Sequence, residues 1–518
     1  MRDQVDVVLV VPGNLVQVYQ HQLAVDHAIE PPVFALLIAG YLLRHGVSVA
    51  IVDQLAEELE NNQIGKRVFD HNPTLVVVVV YGYQPSASTQ NMPAARAALS
   101  AINEWNPGTK TMLTGTHPAA LPERTLQEED ASYVCDGDGA VTTLQLLRAL
   151  EAGGSRDEIA KVGSLWYLAD DDKTALHNPP AAFMDGFETL RMPWELLPSL
   201  EDYRAHDWHS NYAPVSGRYG YASLITTLGC PYHCEFCCIQ TPFRAGERAG
   251  GMKPGINSYR YRNPEVVLAD IQAAYDQGVR LIKVHDEMFV LNPRHVLKFC
   301  ELVQQRFGDE INFWAYTRVD TTRPEFLDKL RAAGIRWLGV GIESANSTVR
   351  DGQDKAFNDD AIHAVVNRIH AAGINVGANF IFGLPHDTVQ SMQETLGLAI
   401  GLNTAFANFY CAMAYPGSKL HEQASAARLR LPEDGHSPGW IGYSQHSYEC
   451  QPLPTETVSA ADVLKMRDQA WYDYYDRPEF RAMIEQKLGP AALATVKQNV
   501  ARPRLKRGLL GDQSDFGR

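Results

Sequence analysis

Short apolar runs alternate with amphipathic stretches in the first part of the chain. Runs that stay apolar along their whole length are typical of strands buried on both faces of a parallel sheet. The predicted strands are 7–11, 47–52, 75–80, 111–113 and 133–135, and helices are predicted at 34–44, at 92–105 and after Gly139. This pattern predicts an α/β, doubly wound, Rossmann-like domain over residues 1–155, whose ligands lie at the carboxyl ends of the strands.

A second α/β series follows a connector predicted over 156–212, where a hairpin pattern at 164–177 precedes Pro179-Pro180 and scattered aromatic residues. Its predicted strands are 223–228, 281–285, 313–317, 337–342, 376–382 and 407–413, and its helices are 264–275, 293–306, 324–333, 359–371 and 389–402. Several of these helices begin with proline and end near glycine. The repeats predict a partial (β/α)6 barrel over 213–425, short of the eight units of a closed barrel. The remainder, 426–518, is predicted to be mostly helical.

Length and charge restrict the class of protein. The chain has 518 residues, too many for one core, so two or three domains are expected. A net charge of −15 argues against a nucleic-acid partner, since phosphate binding needs clustered Lys and Arg. The basic run 502–507 is predicted to be a solvated tail. Neither a signal peptide nor a membrane-spanning stretch is indicated, which favours a cytoplasmic protein with no membrane span.

Four of the eight cysteines fall within residues 230–238. Such clustering indicates metal or redox chemistry, because a disulfide framework would spread its cysteines along the chain. Cys230, Cys234 and Cys237 form C-x-x-x-C-x-x-C, and three thiolates on one loop can hold three irons of a 4Fe–4S cluster. The alternative is structural zinc, which usually pairs ligand units that are distant in the sequence. Cys238 is predicted to be a buried packing residue.

This motif, with Phe236 at its aromatic position, resembles that of the radical S-adenosylmethionine (SAM) superfamily over roughly residues 213 to 425. The resemblance implies a 4Fe–4S cluster on Cys230, Cys234 and Cys237, with SAM bound at the mouth of the barrel. The residues that match SAM-contacting motifs of the family follow successive strands: Asp286, Glu287, Arg318, Glu343, Ser344, Gly383 and Pro385. The carboxylates could instead be solvated, the arginine could form a structural ion pair, and the glycine and proline could be simple turn residues. Pro416-Gly417-Ser418 is similar to the element that closes the family barrel.

The first domain resembles the cobalamin-binding domain that precedes many radical SAM barrels. The matching residues are Pro12, Gly115, Thr116, His117, Gly137 and Gly139, where small residues allow close approach of a large planar ligand. The motif Asp-x-His-x-x-Gly, whose histidine binds cobalt from below, is absent. This implies cobalt without a lower histidine ligand, with Tyr83 or Gln84 as candidates for the lower face. A domain with no ligand is the alternative; no nucleotide-binding glycine motif is present.

Together the resemblances imply a class B radical SAM methyltransferase-like enzyme. It would use a 5′-deoxyadenosyl radical and methylcobalamin to methylate an unactivated carbon of a small molecule, such as a natural-product or lipid intermediate. The implied partners are that substrate and an external electron donor such as flavodoxin or ferredoxin. Cyclisation or rearrangement with the same cofactors, a cobalamin- or redox-sensing regulator, and a tRNA methylthiotransferase remain alternatives. The C-terminal aromatic residues Trp471, Tyr472, Tyr474 and Tyr475 are predicted to pack rather than to form a site.

Overall fold

The computed structural model describes residues 4–13, 18–20, 22, 28–82, 87–171, 173–206, 209, 220–351, 355, 357–435 and 438–514. The strands are β1 (Val7–Val11), β2 (Val49–Asp53), β3 (Leu75–Val80), β4 (Thr111–Gly115), β5 (Tyr133–Cys135), β6 (Leu165–Leu168), β7 (Ala175–His177), β8 (Gly220–Leu224), β9 (Thr227–Leu228), β10 (Arg260–Tyr261), β11 (Val279–Val284), β12 (Asn312–Arg318), β13 (Ile335–Glu343), β14 (Asn375–Phe382) and β15 (Phe406–Cys411).

The α-helices separate these strands and fill the C-terminal region. They are α1 (Val33–Arg44), α2 (Asn61–Phe69), α3 (Ala87–Gln90), α4 (Met92–Trp105), α5 (Thr116–Ala120), α6 (Pro122–Glu128), α7 (Ala140–Glu151), α8 (Arg156–Ile159), α9 (Arg244–Ala249), α10 (Pro264–Asp276), α11 (Pro293–Phe307), α12 (Pro324–Ala332), α13 (Ser347–Asp351), α14 (Asp359–Ala371), α15 (Val389–Leu402), α16 (Lys419–Ala426), α17 (Ala460–Tyr475) and α18 (Pro478–Val500). Five of the barrel helices, α10 to α12, α14 and α15, lie where the sequence predicts them.

The first sheet has the order β2-β1-β3-β4-β5-β6-β7. Its first five strands are parallel and almost fully buried, which confirms the Rossmann-like fold. The hairpin β6–β7 then adds two antiparallel strands, since Val134 of β5 pairs with Trp166 of β6. Part of the predicted connector therefore extends the first sheet instead of only linking two domains.

The second sheet has the order β15-β14-β13-β12-β11-β8, and all of its neighbouring strands are parallel. This confirms the six-stranded partial barrel, with the helices on its outer face. The single strand predicted at 223–228 is two strands: β8 ends at Leu224, and β9 pairs antiparallel with β10. The break leaves Thr226 free to bind a side chain that follows β11, as described below.

The C-terminal region is mostly helical, as predicted. Helix α17 packs against β15, and the hydroxyls of Tyr474 and Tyr475 donate to the carbonyl oxygens of Thr404 and Ala407 at 2.6 and 2.7 Å. Helix α18 bends at Gly489, which precedes Pro490. Among the described residues, we find no helix that is both long and apolar enough to cross a membrane.

The expectation of a solvated tail is wrong for Arg507. Its side chain is fully buried and donates twice to Asp468, at 2.8 Å each, and to the carbonyl oxygens of Ser447 and Gln445. Lys506 exchanges two hydrogen bonds with Gln22 near the start of the chain. Residues 502–512, here called the C-terminal strap, therefore join the two ends of the molecule.

Candidate active site

The cysteine loop is held by hydrogen bonds behind it. Gln240 accepts from the backbone N–H of Cys230 at 3.0 Å, and Asn257 donates to the carbonyl oxygens of Cys230 and Tyr232 at 2.9 and 2.8 Å. Gly229 begins the loop with φ +87°, and a Cβ there would lie 2.3 Å from the carbonyl oxygen of Ser258. Only glycine allows this close approach. The loop is thus pre-shaped by its own surroundings.

The thiols of this loop lie in a poorly solvated environment. Burial raises the pKa of Cys230 to about 12, and burial followed by neighbouring Cys238 and Glu287 raises the pKa of Cys237 well above its ordinary value. A cationic metal cluster would compensate such thiolates. In the part of the chain that the structure describes, no three His, Cys, Asp or Glu side chains already form a closed metal site. Cys230, Cys234 and Cys237 fit a cluster because they supply thiolate ligands from one loop. They do not form a preformed metal site.

Arg318 lies directly beside this loop. Its guanidinium stacks over the Tyr232 ring at 3.7 Å, donates to the sulfur of Cys234 at 3.6 Å and pairs with Asp320 through two bonds of 2.9 Å. Arg318 therefore stabilises the electron-rich side of the cysteine loop. It does not line the large cavity described below, so its predicted contact with SAM stays a prediction.

Asp286 and Glu287, the two acidic residues that follow β11, differ in their contacts. Asp286 is buried, and its two carboxylate oxygens accept hydrogen bonds from Thr226, in the gap between β8 and β9, and from Thr227, the first residue of β9. Glu287 instead lines the cavity, and burial raises its pKa to about 7. Asp286 thus acts as a structural link between strands, which leaves Glu287 as the carboxylate of this pair that can meet a ligand.

Glu343, at the end of β13, also lines the cavity. It adopts φ +68° and pairs at 2.5 Å with Lys355, which is buried as well and also donates to the carbonyl oxygen of Gly341. The adjacent Ser344 is fully buried and bonds Thr395 and the backbone of Asn346, so it shapes the turn instead of facing the cavity.

Gly383 and Pro385 belong to the turn after β14. Gly383 has φ +80°, donates its N–H to Asp387 at 3.0 Å and lies against α17, since a Cβ would be 2.7 Å from Val463. Neither residue lines the large cavity. The turn thus joins the barrel to the C-terminal helices, and its predicted contact with SAM is not tested by these contacts.

A large cavity, of about 1740 Å³, lies between the first domain, the barrel and the C-terminal region. Ordinary small-ligand pockets measure roughly 300–1,000 Å³, so this one has room for more than one large ligand. Its walls include the cysteine loop (Phe236, Cys237), the acidic residues Glu287 and Glu343, and Glu30 of the first domain. Side chains from both ends of the chain therefore surround the mouth of the barrel.

Much of the cavity wall was not predicted. The inner face of the barrel contributes residues that alternate along apolar strands, and the first and last segments contribute others: Tyr19, Gln20, Tyr221, Lys283, Trp314, Tyr316, Asn379, Phe406, Asn408, Tyr410, Gln445, His446 and Tyr472. Polar residues inside mainly apolar strands, such as Lys283 and Asn379, are the signal that could have identified them.

The residues predicted to contact cobalamin lie in different surroundings, and their contact with cobalamin stays a prediction. Pro12 lines a small cavity at the ends of β1 and β3, which shares Tyr19 and Gln90 with the large cavity. Gly115, Thr116, Gly137 and Gly139, all described, line neither cavity. A Cβ at Gly115 would lie 2.1 Å from the carbonyl oxygen of Val80, and one at Gly139 would lie 2.7 Å from Thr114. These glycines allow close packing of the strand ends themselves.

His117 is a packed core residue. It is 1% exposed, its ring lies edge-on to Trp440 at 4.4 Å, and its Nδ1 is 3.2 Å from the hydroxyl oxygen of Thr89. Burial, aided by Arg124 and His421, lowers its pKa to about 3, so the ring is neutral. Its position does not bring it to the cavity. Tyr83 and Gln84 lie outside the described residues.

Comparison with known proteins gives two matches within the chain. The profile of the B12 binding domain matches residues 22–147, and that of the radical SAM superfamily matches residues 224–399. An uncharacterized methyltransferase, PH0819, of Pyrococcus horikoshii is 24% identical over 86% of this chain and 88% of its own. The anaerobic magnesium-protoporphyrin IX monomethyl ester cyclase of Rubrivivax gelatinosus is 25% identical over 76% of this chain and 66% of its own.

Solved structures share the whole architecture. The radical SAM methyltransferase TsrM of Kitasatospora setae, with cobalamin and a [4Fe-4S] cluster bound, superposes with a TM-score of 0.66 at 16% identity, over 96% of this chain and all of that one. The cobalamin-dependent radical enzyme OxsB, with aqua-cobalamin and SAM bound, gives a TM-score of 0.68 at 15% identity over 96% and 70%. At 15–16% sequence identity, these similarities show a shared fold.

Proposed function

Since this chain is a radical SAM enzyme with a B12-binding domain, we propose that it is a C-methyltransferase that modifies an unactivated carbon of a small molecule. One observation carries the proposal: the cysteine loop, the barrel interior and the first domain all face a single cavity of about 1740 Å³. A substrate in that cavity lies between the two cofactor-binding domains. When bound, the cluster, SAM and cobalamin supply one-electron chemistry and a transferable methyl group.

The residues of the chain would hold the cofactors and orient the substrate. Cys230, Cys234 and Cys237 would hold the cluster, on a loop that Asn257 and Gln240 keep in shape. Glu287 and Glu343 are the carboxylates that face the cavity and suit a ligand with an ammonium group, such as SAM. Pro12 and the strand ends around it would lie against cobalamin. An external reductant such as flavodoxin or ferredoxin would supply electrons.

Radical chemistry also requires protection from water and from side reactions, to which an aromatic cavity wall would contribute. Aromatic rings from the barrel, the first segment and the C-terminal helices form much of it, among them Tyr19, Trp314, Phe406 and Tyr472. The similarity to an uncharacterized methyltransferase over 86% of the chain supports methyl transfer as the reaction.

The proposal is tested anaerobically with the full chain. The protein is reconstituted with iron, sulfide and hydroxocobalamin and desalted, and its visible spectrum, iron and cobalt are measured beside those of the variant with Cys230, Cys234 and Cys237 changed to Ala. We expect the variant to lose iron and keep cobalt. Wild-type protein given SAM labelled in its methyl group should place label in a product. Iron that survives in the variant, or wild type that binds no cobalamin, would overturn the proposal.

Cyclisation is a second candidate, favoured by the similarity over 400 residues to anaerobic magnesium-protoporphyrin cyclases. The two reactions differ in their products. A methyltransferase yields a product heavier by one methyl in place of one hydrogen and consumes labelled SAM methyl groups. A cyclase yields an oxidised product with no label, so mass spectrometry of the same reaction decides between them.

A further inference from the structure

Two asparagines form a pair on the inner face of the barrel. Asn379 of β14 and Asn408 of β15 are direct register partners, and Nδ2 of Asn408 donates to Oδ1 of Asn379 at 2.9 Å. Both side chains are half-buried and line the large cavity. In the part of the chain that the structure describes, no further hydrogen bond engages Nδ2 of Asn379 or Oδ1 of Asn408.

The pair therefore leaves one donor and one acceptor for a ligand in the cavity. An amide group carries an NH2 and a carbonyl oxygen, and the bond between the two side chains uses one of each. Flipping both side-chain amides by 180° leaves the same set of groups, because one NH2 and one carbonyl oxygen always remain outside the bond between them. This donor–acceptor pair is a property of the two residues together.

The surroundings of the pair are apolar, and their charges cancel. Trp314 and Phe406 meet edge to face at 6.0 Å on the same inner wall. A Cβ at Gly377, two residues before Asn379, would lie only 3.0 Å from the Trp314 ring. Glycine at this position therefore gives the ring the space that it occupies. The cations Lys283 and Arg467, which also line the cavity, are paired with Glu30 at 2.9 Å and with Asp468 at 2.7 Å. A ligand here meets rings and a neutral polar pair.

We propose that Asn379 and Asn408 recognise the substrate through a primary carboxamide or a lactam attached to an apolar body, because these groups present a carbonyl oxygen and an N–H on the same side, whereas a trans secondary amide does not. The ligand carbonyl accepts from Nδ2 of Asn379 while its N–H donates to Oδ1 of Asn408. A carboxylate has no proton to donate and places its charge against the Asn408 oxygen. A tertiary amide or ester lacks the donor. This inference rests on the proposed function, since it treats the cavity beside the cysteine loop as the substrate site.

The pair lies deeper in the barrel than the groups that face the cysteine loop. Asn379 precedes the cavity-lining Ile381 on the same face of β14, and the turn at Gly383 follows. The polar group of the substrate would therefore be held inside the barrel, with the reacting carbon nearer Glu287 and Glu343. Recognition and chemistry would occupy opposite ends of the substrate.

The test uses the reconstituted holoenzyme and three matched probes: benzamide, N,N-dimethylbenzamide and benzoate. Binding is measured by ligand-observed NMR on wild type, Asn379→Leu and Asn408→Leu. Gln469→Leu is the control, since it removes an amide from the C-terminal wall of the same cavity. We expect wild type and Gln469→Leu to prefer benzamide over both other probes, and each Asn variant to bind benzamide about tenfold more weakly, as the loss of one or two hydrogen bonds predicts.

Iron, cobalt and SAM binding are measured on the same samples, so that failure of the proposed function and failure of this inference are distinguishable. The comparison of probes on wild type needs no variant and stands even if a variant folds poorly. Equal binding of benzamide and N,N-dimethylbenzamide would overturn the inference, as would a preference for benzoate. Loss of SAM binding in Asn379→Leu with unchanged benzamide binding would assign the pair to the cofactor and overturn it as well.

Discussion

Glu30 of the first domain and Lys283 of the barrel form an ion pair across the domain boundary, with the Lys283 nitrogen 2.9 Å from both carboxylate oxygens. Both side chains are about nine-tenths buried, and both line the cavity. Burial acts to lower the pKa of Lys283, but the charge of Glu30 outweighs it and the net pKa is raised. The two cofactor-binding domains thus meet at a neutralised pair of charges.

Removing one member of this pair should weaken the junction. Lys283→Met leaves the Glu30 carboxylate buried without its partner, which typically costs about 3–5 kcal/mol. Urea unfolding should show a clearly lower midpoint. The double variant Glu30→Gln, Lys283→Met should regain most of the loss, because no buried charge remains. Lys298→Met, which breaks the exposed pair with Glu301, is the control and should change stability by about 0–1 kcal/mol. Equal effects of Lys283→Met and Lys298→Met would contradict this reasoning.

Asn257 should determine how well the cysteine loop retains iron. Asn257→Leu removes two donors from the carbonyl oxygens of Cys230 and Tyr232, each worth about 1 kcal/mol. We expect reconstituted protein to contain less iron and sulfide after desalting and to lose its visible absorbance faster in air. The exposed Asn263, whose side chain makes no capping bond, gives the control Asn263→Ala. Iron retention as high in Asn257→Leu as in this control would show that the loop keeps its shape without the bonds.

Stability should depend on pH through His117. The unfolded chain protonates this histidine near 6.5, whereas burial lowers the folded-state pKa to about 3. Between these values the unfolded state binds a proton that the folded state does not, so stability falls as the pH is lowered from 6.5 towards 3. His117→Phe keeps an aromatic ring against Trp440 and should flatten this part of the stability curve. A slope in His117→Phe as steep as in wild type would assign this pH dependence to other groups.

Arg507 should decide whether the C-terminal strap stays in place. Arg507→Ala empties a fully buried position and leaves Asp468 without two hydrogen bonds, a loss typically above 2 kcal/mol. Because proteases cut transiently opened segments, trypsin should cleave after Arg504 and Lys506 much faster in this variant. Arg430→Ala, at an exposed site, serves as the control. Cleavage at the wild-type rate would mean that the strap is held by other contacts, such as Gln22 with Lys506.

The elements of the fold were largely predictable, because buried parallel strands are mainly apolar and several of the helices between them begin with Pro and end near Gly. The cysteine loop was singled out by its spacing, by Phe236 at the aromatic position and by its place after a strand. The cavity wall was not, since Asn379 and Asn408 become neighbours only when β14 and β15 pair. His117 and Asp286 matched family motifs, yet their contacts are with Trp440, Thr89, Thr226 and Thr227, which depend on tertiary packing. Arg507 was misjudged because charge in a basic run gives no information about burial.

The C-terminal strap also forms part of the wall of the large cavity, to which Arg502, Arg504 and Lys506 contribute. The Arg507–Asp468 and Lys506–Gln22 bonds therefore act at the cavity as well as at the surface, because any local opening of the strap removes a section of that wall. Local stability in the C-terminal region and the shape of the cavity are in this way coupled.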